Sequence, residues 1–537
     1  MRHALPKRFT WSIERSCSPI RRFLHGLSFL FAMWLGVCVT PVHAQAPQSA
    51  PNGIESELLE MRNENGLIRE QLRKMEEQQR TLLQALDELR RRIDPQPSPI
   101  ADQPSPSPAP AKSDPEPPAT GPAVSPAPAQ PDPNQGKDPA AFPYDEGIVL
   151  VKTRDDARFP ILLRLWDVTQ LRYTNTLLGN SDYTDHLGAL RPVIRRNDFS
   201  LNRNLLQFVG YIFDKRLQFN LIGWASNSSA AFVEGGYVSW KFNKAITIYA
   251  GYWGSPGTRS LTGTFPYFVQ LDRSMADQFF RPGFTQGSWI DGEVWNGLHY
   301  EFFVGNGLNT LTVPTTKIDS HLVYSGSFWW EPLGVYGTAG RARGMYDDYD
   351  NRKKPVIRVG ASYTKSRENR FSNVGQDNPE NTGLYNSDGV NTFATGAFAP
   401  GVTVNDATYR MLAIDGGVKW RGLALNAQYF SRWLNRFTAD GPLPLTSTFD
   451  HGFEMELSKF IVPKKWELYG RTSFIFGQFD NSYEYAPGVK WYVVPNHRVW
   501  LVAEGLRIVK APVSSVITPY NSGFTGWAPM LQWMFNF

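Results

Sequence analysis

The last seven residues, Leu531-Gln532-Trp533-Met534-Phe535-Asn536-Phe537, constrain this chain more than any other stretch. Apolar side chains at 531, 533, 535 and 537 recur with a period of two, the pattern of a β-strand with one greasy face. An exposed aromatic edge of this kind invites aggregation in a soluble protein. It is satisfied where one face of the strand meets lipid and the other meets the inside of a closed barrel. The competing reading is the aromatic last strand of a soluble sandwich.

Upstream, short hairpins repeat the theme. Leu205 to Phe213 turns at Asp214-Lys215 and returns as Leu217 to Leu221. Tyr237 to Phe242 turns at Asn243-Lys244 and returns as Ile246 to Tyr249. Leu423, Leu425, Ala427 and Tyr429 alternate with polar residues, as do Val489, Trp491 and Val493 before a turn at Pro495-Asn496-His497. No apolar stretch in 144–537 is long enough for a membrane helix. Polar stretches at 174–194, 254–288, 364–408 and 436–450 separate the hairpins. Short turns on one rim and long loops on the other are the layout of a transmembrane antiparallel β-barrel. Roughly 390 residues at about 24 per strand and connection predict 16 strands, with 14 or 18 as alternatives, and a barrel of that size leaves an aqueous channel.

The N-terminal third has a different character. Residues 1–44 read as a secretory signal peptide: a basic start (Arg2, Lys7, Arg8, Arg15, Arg21, Arg22), an apolar run from Leu27 to Val39, then Pro41-Val42-His43-Ala44. Both cysteines, Cys17 and Cys38, fall inside it, so the exported chain is expected to hold no thiol and no cysteine metal site. Residues 54–93 carry an unbroken heptad seam: Ile54, Leu58, Met61, Asn65, Ile68, Leu72, Met75, Gln79, Leu82, Leu86, Leu89 and Ile93. That predicts an α-helical coiled coil, with Asn65 and Gln79 as buried amides that fix its register. The competing reading is a single amphipathic helix packed on the barrel. Residues 94–143 are a Pro-rich linker without helix or strand signals. At roughly 3.1 Å per residue such a linker reaches on the order of 150 Å, which detaches the helix from the strand-rich segment.

Charge follows the same division. Residues 147–537 hold 39 basic and 32 acidic side chains, a net of +7, whereas 94–146 hold 2 and 8. With export expected and no dense basic cluster, nucleic acid is a poor explanation and is not expected as a partner. Basic side chains inside a pore favour anions.

Five stretches, in this order, resemble the phosphate-selective porins of the O and P type. They are Arg195-Arg196 leading into a strand, Val238–Tyr252 with Gly254-Ser255-Pro256, and Leu271-Asp272-Arg273-Ser274 with Gly283 and Gly292. Gly305-Asn306-Gly307 and Gly488-Val489-Lys490-Trp491-Tyr492 with Pro495-Asn496 complete the series. The resemblance covers most of 144–537 and implies a 16-stranded trimeric barrel. The coiled coil is similar to the extension that some dicarboxylate-type porins carry. The Arg and Lys ladder that confers phosphate selectivity in that family has no residue-by-residue match here, so phosphate specificity does not follow.

The function expected is passive diffusion of small hydrophilic solutes through an outer-membrane channel with mild anion preference, phosphate and organic acids being candidates. The stalk is expected in the periplasm, towards peptidoglycan. The chain is read as a non-enzyme without cofactor or metal, embedded in outer-membrane lipid as a homotrimer. The selectivity candidates are Arg164 and Arg172 on a predicted wall strand, and Arg259, Asp272, Arg273, Asp277 and Arg281 in the loop 254–288, which resembles the family's inward-folded constriction loop. Guanidinia facing carboxylates across a narrow lumen set up a transverse field that selects charge. Each of these arginines has a plainer alternative as a solvated or intraloop charge. The loop's aromatics, Phe265, Tyr267, Phe268, Phe279, Phe280 and Phe284, are expected to pin it to the barrel wall. Two rivals are a structural tether between outer membrane and cell wall, and a barrel lipase, for which no Ser/His arrangement is visible.

Overall fold

The protein is described by a computed structural model covering residues 144, 146–226, 231–310, 313, 318, 320–337, 345–373, 383–515 and 517–537. The expected signal peptide, coiled coil and linker lie outside these residues.

Strand alternation dominates the described residues, and the fold is all-β. In chain order the strands are β1 (Ile148–Lys152), β2 (Ile161–Asn175), three short pieces β3 (Leu178–Gly179), β4 (Asp182–Thr184) and β5 (Leu190–Pro192), then β6 (Asn197–Ile212), β7 (Asp214–Ser226), β8 (Ala231–Lys241), β9 (Thr247–Gly254), β10 (Phe284–Trp295) and β11 (Leu298–Gly305). The series continues with β12 (Val323–Trp330), β13 (Val356–Asn369), β14 (Val404–Trp420), β15 (Leu423–Ala439), β16 (Ser447–Val462), β17 (Trp466–Phe476), β18 (Asn481–Tyr492), β19 (Val499–Val509) and β20 (Gly526–Asn536).

From β6 to β20 each strand pairs antiparallel with the next, and β2 pairs with both β6 and β20. The ring therefore closes on sixteen strands, β2 and β6 to β20, the number the sequence predicts. β20 takes the Val168–Thr174 part of the β2 edge, and β1 takes the Leu162–Leu165 part. The terminal Phe537 exchanges backbone hydrogen bonds with Asp167 at 2.7 and 3.0 Å, which places the last residue on the ladder.

Closure leaves no unpaired edge, which a bilayer requires. The outward face is apolar: Leu221, Val238, Val359, Ile414, Leu425, Leu457 and Leu468 are exposed. Trp295, Trp330, Trp420 and Trp466 are exposed near the short-turn rim, with Trp295 stacked beside Trp330 and Trp466 beside Trp491. Such an aromatic girdle marks the membrane interface of an outer-membrane barrel.

The predicted hairpins and the four long loops are present. One loop departs from the expected layout: residues 331–355 connect β12 to β13 at the short-turn rim, where only tight turns were expected. Tyr336, Met345, Tyr346, Asp347, Asp348 and Tyr349 are buried there. The aromatics and paired carboxylates among its described residues, 331–337 and 345–355, carry no strand period, so their inward placement is invisible to a periodicity argument.

Candidate functional site

The loop of residues 255–283, between β9 and β10, crosses the lumen. Its sequence holds it in place at three levels. Ser274 caps a short helix, α1 (Met275–Phe280), by accepting from the Asp277 backbone N–H at 2.9 Å, and Pro282 follows its end. The Phe280 ring stacks on Phe430 of β15 with centroids 5.2 Å apart, and the Arg432 guanidinium lies 3.9 Å from the Phe279 ring centre. Tyr409 Oη of β14 donates to the Phe280 carbonyl at 2.5 Å.

The third level is ionic. Asp272 receives Arg203 Nη1 of β6 at 2.6 Å and Arg172 Nη2 of β2 at 2.9 Å. Burial alone raises the Asp272 carboxyl, but Arg203 and Arg172 more than offset it and hold it well below the usual carboxylate range. Arg471 Nη1 of β17 donates to the Asp272 carbonyl at 2.8 Å, and Lys490 Nζ of β18 donates to the Phe268 carbonyl at 2.8 Å. Arg471 is itself paired with Glu484 at 2.5 Å, and Arg432 with Asp450 at 2.8 Å. These wall charges neutralise one another and grip the loop.

The loop start meets the insertion from the short-turn rim. The Arg259 guanidinium lies 4.0 Å from the Tyr346 ring centre and 5.1 Å from that of Tyr336, and Nη1 donates to Asn426 Oδ1 at 2.8 Å. Lys419 Nζ donates to the Tyr336 and Met345 carbonyls at 2.9 and 2.7 Å. Tyr492 Oη donates to Asp347 Oδ2 at 2.6 Å.

With the loop drawn to one side, space remains on the other. A cavity of about 400 Å³ lies between the loop and β2 and β6–β9. Its lining is mostly apolar. The strands supply Trp166, Leu205, Val209, Ile222, Trp224, Val233, Tyr237, Tyr252 and Trp253. The loop supplies Leu261, Phe265 and Tyr267. Glycine shapes this wall at two places. A Cβ on Gly235 would sit 3.0 Å from the Tyr252 ring, and Gly251, at φ +149°, lets β9 turn so that Tyr252 and Trp253 both border the space. The charged side chains on the cavity are Arg164, Arg273 and Arg498 against one carboxylate, Glu146.

The seven candidate residues divide accordingly. Arg164, half-buried, borders the cavity, and so does Arg273, which is itself buried and 3.7 Å from Asp277. Arg172, Arg259, Asp272, Asp277 and Arg281 are buried within the packing of loop, wall and insertion. Asp277 accepts from Ser260 Oγ at 2.7 Å and lies 3.7 Å from Arg273 Nε, and Arg281 Nε donates to Gln278 Oε1 at 3.2 Å. Burial outweighs Arg273 and Arg281 and pushes the Asp277 carboxyl up. The loop aromatics divide as well: Phe268, Phe279 and Phe280 are buried, whereas Phe265, Tyr267 and Phe284 border the cavity.

Sequence reasoning passed over Arg203, Arg432 and Arg471. Each stands on an inward register position of its strand, and alternation extended from Leu205, Phe430 and Tyr469 would have found them.

No protein-family model matches this sequence, and no curated protein does. Among solved structures, the chain is similar to the anion-selective porin from Comamonas acidovorans at 10% identity, over 70% of this chain and 100% of that one, with a TM-score of 0.44. OmpT, an outer membrane protein of Vibrio cholerae, shows 10% identity over 70% and 98%, with a TM-score of 0.44. Pseudomonas putida OprB shows 11% over 70% and 94%, with a TM-score of 0.40. Likeness at this level is a likeness of barrel to barrel, and what passes through this one has to be read from its own lumen.

Proposed function

We propose that the chain is an outer-membrane porin, a passive channel for small hydrophilic solutes with a mild preference for anions. The route runs between the loop 255–283 and the β2, β6–β9 wall. The observation that carries this is the charge division of the lumen. Ion pairs between loop and wall, and along β15 to β18, consume carboxylates and guanidinia together, while the remaining cavity is bordered by Arg164, Arg498 and the Asp277-paired Arg273 against one glutamate. A narrow, low-dielectric passage magnifies such an excess of positive charge.

The test is the reversal potential in asymmetric KCl. Replacing Arg273 by Glu changes the local charge by two and lowers the chloride-to-potassium permeability ratio, less so in high salt as the Debye length shortens. An unchanged reversal potential in a fully assembled channel makes Arg273 a loop-packing residue and moves the selectivity to Arg164.

Two finer readings attach to this. Kinship with the phosphate-selective O and P type rests on the order of the five motifs along the chain; half-block of the chloride current by phosphate below millimolar concentration would support it, and no block would count against it. A homotrimer is supported by the low wall at β9, β11 and β12, each of 8 residues. Strands of that length fall short of the roughly 9–11 residues a tilted membrane strand needs, a mismatch that cover by neighbouring copies would relieve. The periplasmic stalk of residues 54–93 joins the three chains in parallel. A peptide of that sequence is expected to sediment as a trimer, and a monomer would contradict the reading.

A further inference from the structure

Walls of water-filled barrels are polar inside. Here β6 to β9 are mostly apolar on both faces where they border the cavity, for Leu206, Phe208, Leu221, Phe232, Val238 and Ile248 face outwards while Leu205, Ile222, Trp224, Val233, Tyr237 and Trp253 face in, with Gln207 and Asn220 as the polar exceptions. An apolar inner face gains nothing from water and conducts small hydrated ions no better than a polar one. It is matched to a solute that brings apolar surface of its own.

The rings are arranged as a surface. Tyr237 stands edge-on to Tyr249, Trp253 and Trp289, with centroids 5.2, 5.3 and 5.5 Å away. Across the space, the loop contributes Phe265 and Tyr267. Such walls offer both faces and edges to a flat ring. At least two polar atoms are available beside them. The Trp224 indole N–H and Asn220 Oδ1 are buried on the cavity wall and make no hydrogen bond among the described residues, while Asn220 Nδ2 donates to Gln207 Oε1 at 3.1 Å. Arg164 and Arg498 bring positive charge to the same space against Glu146, and Arg273, paired with Asp277, borders it. A volume of about 400 Å³ holds one or two fused rings with a carboxylate.

We infer that the cavity is a binding site for aromatic carboxylates, planar apolar rings bearing one anionic group, which it takes from solution and passes along the aromatic wall. The inference rests on the channel reading for the passage but not for the binding. Neither part of the ligand suffices alone: acetate has no ring for the wall, and benzyl alcohol has no charge for the arginines.

The purified full-length protein decides this with benzoate, acetate and benzyl alcohol as probes. In planar bilayers, benzoate should reduce the KCl current saturably, with half-effect at a concentration about fivefold or more below that of either control, the ratio expected from one aromatic contact. In detergent, tryptophan fluorescence should change saturably with benzoate over the same range. Ile222→Trp, which fills the space, should abolish both effects, and Trp224→Ala should weaken both about fivefold. Benzoate no more effective than acetate on the wild-type protein overturns the inference without any variant. Saturable benzoate binding by a protein that conducts no KCl overturns the channel reading and leaves the site standing. Steady conductance with no benzoate effect does the reverse.

Discussion

The two halves of the lumen wall have the same backbone and opposite chemistry. From β13 to β19 the inward positions carry Arg358, Asp415, Arg432, Asp450, Arg471, Glu484 and Glu504, all buried and engaged in ion pairs or hydrogen bonds. From β6 to β9, beyond Arg203, the cavity-facing positions are mostly aliphatic and aromatic, with Gln207 and Asn220 between them. The charged half is filled by the loop, and the apolar half is where space remains. Charge in this lumen therefore does two jobs. Paired across loop and wall it is structural, because a desolvated ion pair is held by geometry. On the open side Arg164, Arg273 and Arg498 border the space, Arg273 being itself paired with Asp277 within the loop.

Breaking the ion pairs that tie the loop to β2 and β6 should have the largest effect. Asp272→Asn leaves the Arg172 and Arg203 guanidinia buried without their carboxylate, and removing one partner of a buried pair costs on the order of 3–5 kcal/mol. The loop should leave the wall, and single-channel conductance should rise severalfold with the barrel still assembled. Unchanged conductance would mean that the aromatic contacts of α1, Phe280 on Phe430 among them, hold the loop unaided.

The division explains how much of the site was legible beforehand. Outward alternation names the lipid face directly, so the barrel and its hairpins follow from residues such as Leu423 and Leu425, while the strand number follows from the length of the segment. Inward polarity names only a candidate. Arg172 and Arg164 stand on the same strand with the same inward preference, yet Arg172 meets Asp272, 100 residues away, and Arg164 borders the cavity. That choice is set by the course of a loop, which has no period to read. The inserted segment 331–355 was hidden for the same reason. The aromatics on the inner faces of β6 to β9 were legible as apolar residues, but in a membrane strand an apolar run on both faces looks like a buried strand, and the space beside them does not show in the sequence.

A smaller effect is expected at the junction of loop and insertion. Arg259→Ala removes the guanidinium from Tyr346 and Tyr336 and its bond to Asn426, but leaves the Asp272 pairs intact. A cation–π contact is worth about 1 kcal/mol, so conductance should rise by less than about twofold, with more flicker between levels. A rise as large as that of Asp272→Asn would show that the insertion, rather than the ion pairs, is the main obstruction, and would shift the comparison from the two walls to the two ends of the barrel.

The smallest effect sharpens the contrast within the loop itself, where two buried carboxylates five residues apart are held in opposite ways. Asp272 has its pKa depressed in the folded chain, so it adds stability above the ordinary carboxylate pKa and loses that only as the pH falls through the depressed value. Asp277 has its pKa raised, chiefly by burial. The unfolded chain ionises it more readily, so above the ordinary pKa the residue costs stability, and in acid that cost disappears. Asp277→Asn should thus raise the unfolding temperature slightly near pH 8, by about 2 °C, and have no effect near pH 3. Asp272→Asn should lower it near pH 8, and its deficit should begin to close only in strong acid. Heat-induced unfolding followed by circular dichroism across that range measures both. If Asp277→Asn destabilises the protein at pH 8, its bonds to Ser260 and its proximity to Arg273 outweigh its burial, and both carboxylates belong to the same ionic lock.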